Sequence, residues 1–236
     1  MSETSRFGLP LVQPAQAQKH VTVNEALSLI DATMQLTLGS RTQTLPPTSP
    51  VDGDAFLVPS GAVNAWSGRA GEIAIAQNGG WVFVFPRVGW TAWIADASER
   101  VFFDGLAWHS GMVARSQNGA ATFLRVLEFD QTITAGASVL TGGLIPAKAM
   151  VLGVTAKVIT AISGTLASWT LGVEGSETRY GSGLGLGAGS YAEGVTSTPN
   201  THYSAEALKL SATGGNFAGG ELRLAIHYFT LSVPSV

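Results

Sequence analysis

Near the C-terminal end of the chain, Leu222, Leu224, Ile226 and Tyr228 alternate with Glu221, Arg223, Ala225 and His227. A period of two places one set on each face of an extended strand, so residues 221–231 read as a half-buried β-strand. Gly214-Gly215 and Gly219-Gly220 just before it are turn signals. The same texture runs back to Val126. Strand candidates at 126–129, 139–140, 151–159, 168–173 and 206–212 are split by turn-forming residues. Many short strands with Gly-rich turns and almost no helical periodicity predict a jelly-roll-like, two-sheet β-sandwich over residues 126–236.

The N-terminal part reads differently. Over 13–39, Thr22 and Glu25 form the T-x-x-E pattern of a capping box. Val23, Leu27, Ile30, Met34 and Leu38 then recur at the three-to-four spacing of one helical face, and Gly39 stands where a left-handed residue would end the helix. Such a face either lies on a sheet or meets another copy or a docking partner, and periodicity fits both. Pro46, Pro47 and Pro50 mark an extended connector. Short strand candidates follow at 55–58, 72–76 and 81–85, with a turn at 77–80. Asp104-Gly105, between two apolar runs, is the signature of a type I′ hairpin. Five of the six tryptophans, Trp66, Trp81, Trp90, Trp93 and Trp108, fall in this region. Residues 1–110 are thus expected to form one helix with a small, Trp-rich antiparallel sheet, the whole chain being mainly β. Residues 111–125, rich in Gly, Ser, Gln and Asn, read as a connector.

Composition excludes several classes of function. Net charge is −3, too acidic to gather phosphates, so no nucleic-acid partner is expected. Only 12% of residues are charged and 45% are hydrophobic, which argues against disorder. The absence of cysteine removes disulfides, thiolate metal sites and thiol nucleophiles. His20, His109, His202 and His227 share no metal-ligand spacing, and Asp52 and Asp54 lack the rest of a calcium loop. No metal and no cofactor are expected. Gly183, Gly185 and Ala188 fit G-x-G-x-x-A on paper, but no helical pattern follows to hold a pyrophosphate. The N-terminus lacks the pattern of a signal peptide, and no apolar run approaches the roughly 20 residues of a membrane span. The chain is expected to be made in the cytoplasm without membrane insertion.

No catalytic motif stands out. Aromatic and polar side chains in the C-terminal half instead fit a sugar-binding rim, where rings meet apolar C–H patches and polar groups meet hydroxyls. Trp169, Glu174, Glu177, Arg179, Tyr180, Tyr191, His202 and Tyr203 lie in or beside the Gly-rich stretches. Trp169 sits in an alternating run, where a core role competes with a binding role. Glu174 and Glu177 are the closest acidic pair there and raise a glycosidase alternative, which needs two carboxyl groups roughly 5–9 Å apart.

The run LPLVQPAQAQKHVTVNEAL at 9–27, followed by Asp31, resembles the opening signature of a domain family of bacteriophage tail and host-specificity proteins and of gene transfer agents, which are phage-like particles. Residues 47–58, Ala65-Trp66, Gly71-Glu72, Gly80-Trp81, Pro86 and 103–108 continue the likeness over about the first 110 residues. Ile145-Pro146-Ala147, 151–154 and 223–228 resemble the β-rich domain that often follows. The resemblance implies a non-enzymatic particle-surface protein that recognises the recipient's capsular polysaccharide. The helix would serve assembly with other particle proteins or with further copies, a trimer by analogy with fibres and spikes. It also implies release on a particle by lysis, and it brings no catalytic residues. A purely structural assembly adaptor is the other reading.

Overall fold

The computed structural model describes residues 3–7, 9–12 and 19–234, with the side chains of 19–22 left aside. The chain divides into two compact units, Met1–Gly111 and Met112–Val236. It is mainly β, with one α-helix among the described residues, near its head.

Among its described residues the first unit contains helix α1 (Lys19–Thr33) and seven strands: β1 (Thr37–Leu38), β2 (Ala55–Leu57), β3 (Ile73–Gln77), β4 (Gly80–Val84), β5 (Thr91–Ile94), β6 (Glu99–Phe103) and β7 (Trp108–Ser110). In place of one small antiparallel sheet there are two, ordered β1-β5-β6-β7 and β2-β3-β4. The pairing of β1 with β5 is parallel. Both sheets feed one core through Leu38, Leu57, Ile73, Ile75, Ala92, Ile94 and Val101, which Ala32 of the helix joins.

Helix α1 departs from its expected form in three ways. It already includes Lys19, so Thr22 lies inside it and does not open it with a capping box. It ends at Thr33, and Gln35 supplies the left-handed residue (φ 53°). Gly39 serves a different need. A Cβ there would lie 2.7 Å from the ring of Phe56, so the position is reserved for close approach. The third departure is the face. Val23, Ile30 and Met34 are exposed, Leu27 is half-buried, and Leu38 is buried in β1, beyond the helix. Asp31 (2% exposed) and Ala32 (3%) point inward instead.

Asp31 explains that orientation. Its carboxylate accepts hydrogen bonds from Thr4 Oγ1 (2.8 Å), Arg6 N–H (2.8 Å) and Phe7 N–H (2.6 Å). The Arg6 guanidinium then donates to the carbonyls of Ala32 and Gln35, satisfying acceptors that a helix C-terminus leaves open. A polar anchor, not an apolar stripe, fixes the helix.

Trp66 is fully buried in a short 3-10 turn and packs with Phe56 and Trp81 at ring separations of 5.3 and 5.1 Å. The exposed tryptophan is Trp93, at 47%. The two-residue hairpin turn is Asn78-Gly79 between β3 and β4, with both φ angles positive. Asp104-Gly105 belongs to a four-residue loop, since Phe103 pairs with Trp108. Asp104 caps that loop by accepting the N–H groups of Leu106 and Ala107, and it pairs with His109 at 3.0 Å. Burial pushes the Asp104 carboxyl up, but the Ala107 and Leu106 bonds and His109 outweigh it and bring it down to about 2. A carboxyl depressed by folding adds stability above its unfolded value of about 3.9, lost as pH falls through the folded value. Denaturant titration should therefore show a loss of stability between about pH 4 and 2 that Asp104→Asn removes. Equal acid sensitivity in the variant would assign it to other groups.

The second unit holds β8 (Met112–Arg115), β9 (Ala121–Thr132), β10 (Ser138–Ile145), β11 (Ala149–Gly164), β12 (Ser168–Val173), β13 (Ser176–Leu184), β14 (Tyr191–His202), β15 (Glu206–Thr213) and β16 (Phe217–Ser232). The supposed connector 111–125 is largely strand, as β8 and the start of β9. Four nested antiparallel pairs, β9 with β16, β10 with β15, β11 with β14 and β12 with β13, make one long hairpin rolled on itself. The resulting sheets, β14-β11-β16-β9-β8 and β10-β15-β12-β13, are the two sheets of a jelly roll with one added edge strand. Val154, Val158, Leu222, Leu224 and Ile226 from the first meet Trp169, Leu171, Leu208 and Leu210 from the second in a single core.

Strands β13 and β14 were not among the expected strands, because Gly and Ser interrupt any apolar period from 181 to 190. The glycine at 194 is structural. A Cβ there would lie 2.2 Å from the Tyr180 carbonyl oxygen, where the edges of the two sheets close on each other.

Candidate functional site

Around Lys157, strands β14, β11, β16 and β9 alternate between more buried and more exposed side chains, so the outer face there can be read off the register. Tyr191, Lys157, Arg223 and Asp130 form one row across β14, β11, β16 and β9. Glu193, Thr155, Ala225 and Glu128 form the next. The short side chains Thr155 and Ala225 floor a groove of about 590 Å³, walled by Tyr191 and Lys157 on one side and by Arg223 and Glu128 on the other.

The walls are chemically distinct. Tyr191 is 69% exposed and presents an open ring at the start of β14. Lys157, directly across from it, is exposed and makes no ion pair among the described residues. Arg223 is spoken for: its Nε and Nη2 grip Asp130 at 2.7 and 2.8 Å in a bidentate fork. Hydrogen bonding to Asp130 raises the Arg223 pKa and lowers that of Asp130. Glu193 and Glu128 offer acceptors at either end of the second row. An aromatic face beside one free ammonium and two carboxylates can stack on an apolar ring face while donating to and accepting from hydroxyls.

Of the expected rim residues, only Tyr191 lines this groove. Trp169 is 1% exposed, and its Nε1–H donates to the Gly185 carbonyl at 2.9 Å, so it is a core residue. Tyr180 is 2% exposed; burial pushes its hydroxyl up to about 12. His202 is 5% exposed, with Nδ1 2.6 Å from Glu206 Oε2. None of these three can stack on a ligand at the surface. Tyr203 is 86% exposed but follows the far end of β14. Twelve residues of strand at ~3.3 Å each put it tens of ångströms from Tyr191. Arg179 is half-buried.

Glu174 and Glu177 converge on a shared cation, Lys209 Nζ, at 2.9 and 3.3 Å. The N–H of Glu177 itself and the Lys209 ammonium hold the Glu177 carboxyl below its usual range. A general acid in glycoside cleavage needs the opposite shift. The residues that sequence reasoning passed over, Lys157, Glu193, Arg223, Glu128 and Thr155, had one usable signal. Arg223 and Ala225 belong to the outward set of the period-two pattern in β16, although the partners facing them across β11 and β9 were not legible.

Among the described residues, no group of three or more His, Asp or Glu is placed to hold a metal ion. No helix there is long and apolar enough to cross a membrane.

Comparison with known proteins gives three findings. No curated protein matches the chain. Among solved structures, a chain described as cyanophage Pam1 capsid asymmetric unit is similar over 50% of this chain and 92% of its own length, at 25% identity and a TM-score of 0.33. Residues 23–109, from within α1 to β7, match the family described as protein of unknown function (DUF2793).

Proposed function

We propose that this chain is a surface spike of a phage-like particle, of the kind carried on the head of a gene transfer agent, and that its jelly roll adheres to a host's capsular polysaccharide. The particle setting rests on the resemblance carried by residues 9–27. The observation that carries the binding reading is the groove. An exposed Tyr191 lies beside a Lys157 that makes no ion pair among the described residues, with Glu193 and Glu128 in the adjacent row of the same sheet. A repeating ligand suits a site of this kind, because many copies on one particle multiply a weak single-site affinity.

Retention of the full chain on immobilised capsular polysaccharide tests the reading, with new reducing ends scored in the same samples. Tyr191→Ala should weaken retention roughly tenfold, equivalent to about 1.4 kcal/mol. Tyr203→Ala should leave it unchanged. Loss with Tyr203→Ala alone would move the site to the other end of β14. New reducing ends that vanish in Glu174→Gln/Glu177→Gln would replace adhesion by depolymerisation. Absence of retention even on an assembled particle would leave an assembly adaptor.

A further inference from the structure

The first unit carries an inversion that its fold does not need. Helix α1 turns Ser28, Asp31 and Ala32 inward and leaves Val23, Leu29, Ile30 and Met34 at 42–50% exposure. Apolar side chains on the outside of a helix with a polar anchor inside reverse the usual arrangement. The exposed ridge is flanked by two recesses. One of about 860 Å³ separates the helix from β4 and is lined by Ala26, Leu29, Val82 and Phe85, the last 68% exposed. The other, of about 750 Å³, lies beyond Ile30 and Met34 and reaches Trp90 and the exposed Trp93. An exposed apolar ridge between two recesses, the one beside β4 mostly apolar and the one beyond Met34 mixed with Thr33, Gln35 and Arg100, marks an interaction surface.

Charge decides what covers it. Glu25 lies near the start of the ridge, beside the recess lined by Gln77 and Asn78 at the tip of the β3–β4 hairpin. Arg87 and Arg100 border the recesses that share Thr33 and Trp90, at the end of the helix. From Glu25 to Thr33 the helix rises ~12 Å. All three charges are exposed and make no ion pair among the described residues. A two-fold axis through the middle of the ridge would run two helices antiparallel. It would set each copy's Glu25 against the other's Arg87 and Arg100, and seat Leu29 and Ile30 of one copy in the recess of the other.

We infer that this face is an isologous interface between two copies of the chain, built from α1 and β4. It does not depend on the polysaccharide reading, which concerns the other unit. It differs from the three-fold assembly expected by analogy with spikes, because a three-fold contact joins two different surfaces. Here one surface carries both halves of the complementarity.

Sedimentation equilibrium of the full chain tests this. The wild type should be a dimer, and Leu29→Asp/Ile30→Asp should be a monomer with an unchanged circular dichroism spectrum. Because that variant could simply misfold, charge reversal supplies a second test. Glu25→Arg and Arg87→Glu should each weaken the dimer roughly tenfold, and the double reversal should restore it. A monomeric wild type overturns the inference. So does a trimer, a dimer untouched by Leu29→Asp/Ile30→Asp, or a double reversal weaker than either single change. Binding of a different particle protein to the face of a monomeric chain would also overturn it.

Discussion

Trp169→Ala is expected to cost the jelly roll roughly 3–5 kcal/mol, the range for truncating a buried aromatic residue. The side chain is 1% exposed and stands at the centre of the core with Leu171, Leu208 and Leu210. Its strand, β12, is paired on both sides, with β15 and β13, so the backbone has little freedom to collapse into the void. The change also strands the Gly185 carbonyl, which the indole N–H reaches at 2.9 Å across the turn that follows β13. Against the total of roughly 5–15 kcal/mol that a domain possesses, this is a large fraction. Trp169→Phe keeps most of the volume and loses the donor, so it should cost about 1–2 kcal/mol. Urea unfolding followed by circular dichroism separates the two variants. A Trp169→Ala protein of wild-type stability that no longer bound polysaccharide would return this residue to the ligand-binding role its sequence position also allowed.

Trp169 shows why fold and site were not equally legible. The alternation of 168–173 placed it on one face of a strand, and the class of fold followed from many such runs. The direction of a face, toward the core or away from it, depends on which strands pair. The nested pairs of β9 to β16 are long-range contacts that no local pattern encodes. Lys157 and Tyr191 are thirty-four residues apart and became neighbours only through the register of β11 with β14. Strand β14 itself was hidden by Gly, Ser and Pro in its neighbourhood. The helix misled for a different reason. Its apolar period fits a face laid on a sheet and a face left for a partner alike, and Asp31 turns the other side of the helix inward. Asp31 was visible as part of the family resemblance, with no sign that its partners would be Thr4, Arg6 and Phe7.

That anchor sets the second large effect. Asp31→Ala removes the acceptor for one hydroxyl and two backbone N–H groups at 2.6–2.8 Å. Thr4 and Asp31 are both buried, so water cannot replace all three bonds without opening the segment. A hydrogen bond to a charged group contributes about 1.5–3 kcal/mol, and these three act as a unit, so a loss on the order of 3 kcal/mol is expected for the first unit. Asp31→Asn keeps one acceptor oxygen and should fall between. Hydrogen exchange gives the sharper readout: the amides of Arg6 and Phe7 should lose protection while those of β9 and β16 keep theirs. Unchanged protection at Arg6 would mean that its own guanidinium, bound to Ala32 and Gln35, holds the segment alone. Loss of protection that spreads along α1 would mean more. The helix would then owe its place to a polar contact on its inner side, which is what leaves Leu29, Ile30 and Met34 available on the outer side for a second copy. In that case Asp31→Ala should also weaken the dimer, although Asp31 lies on the face turned away from it.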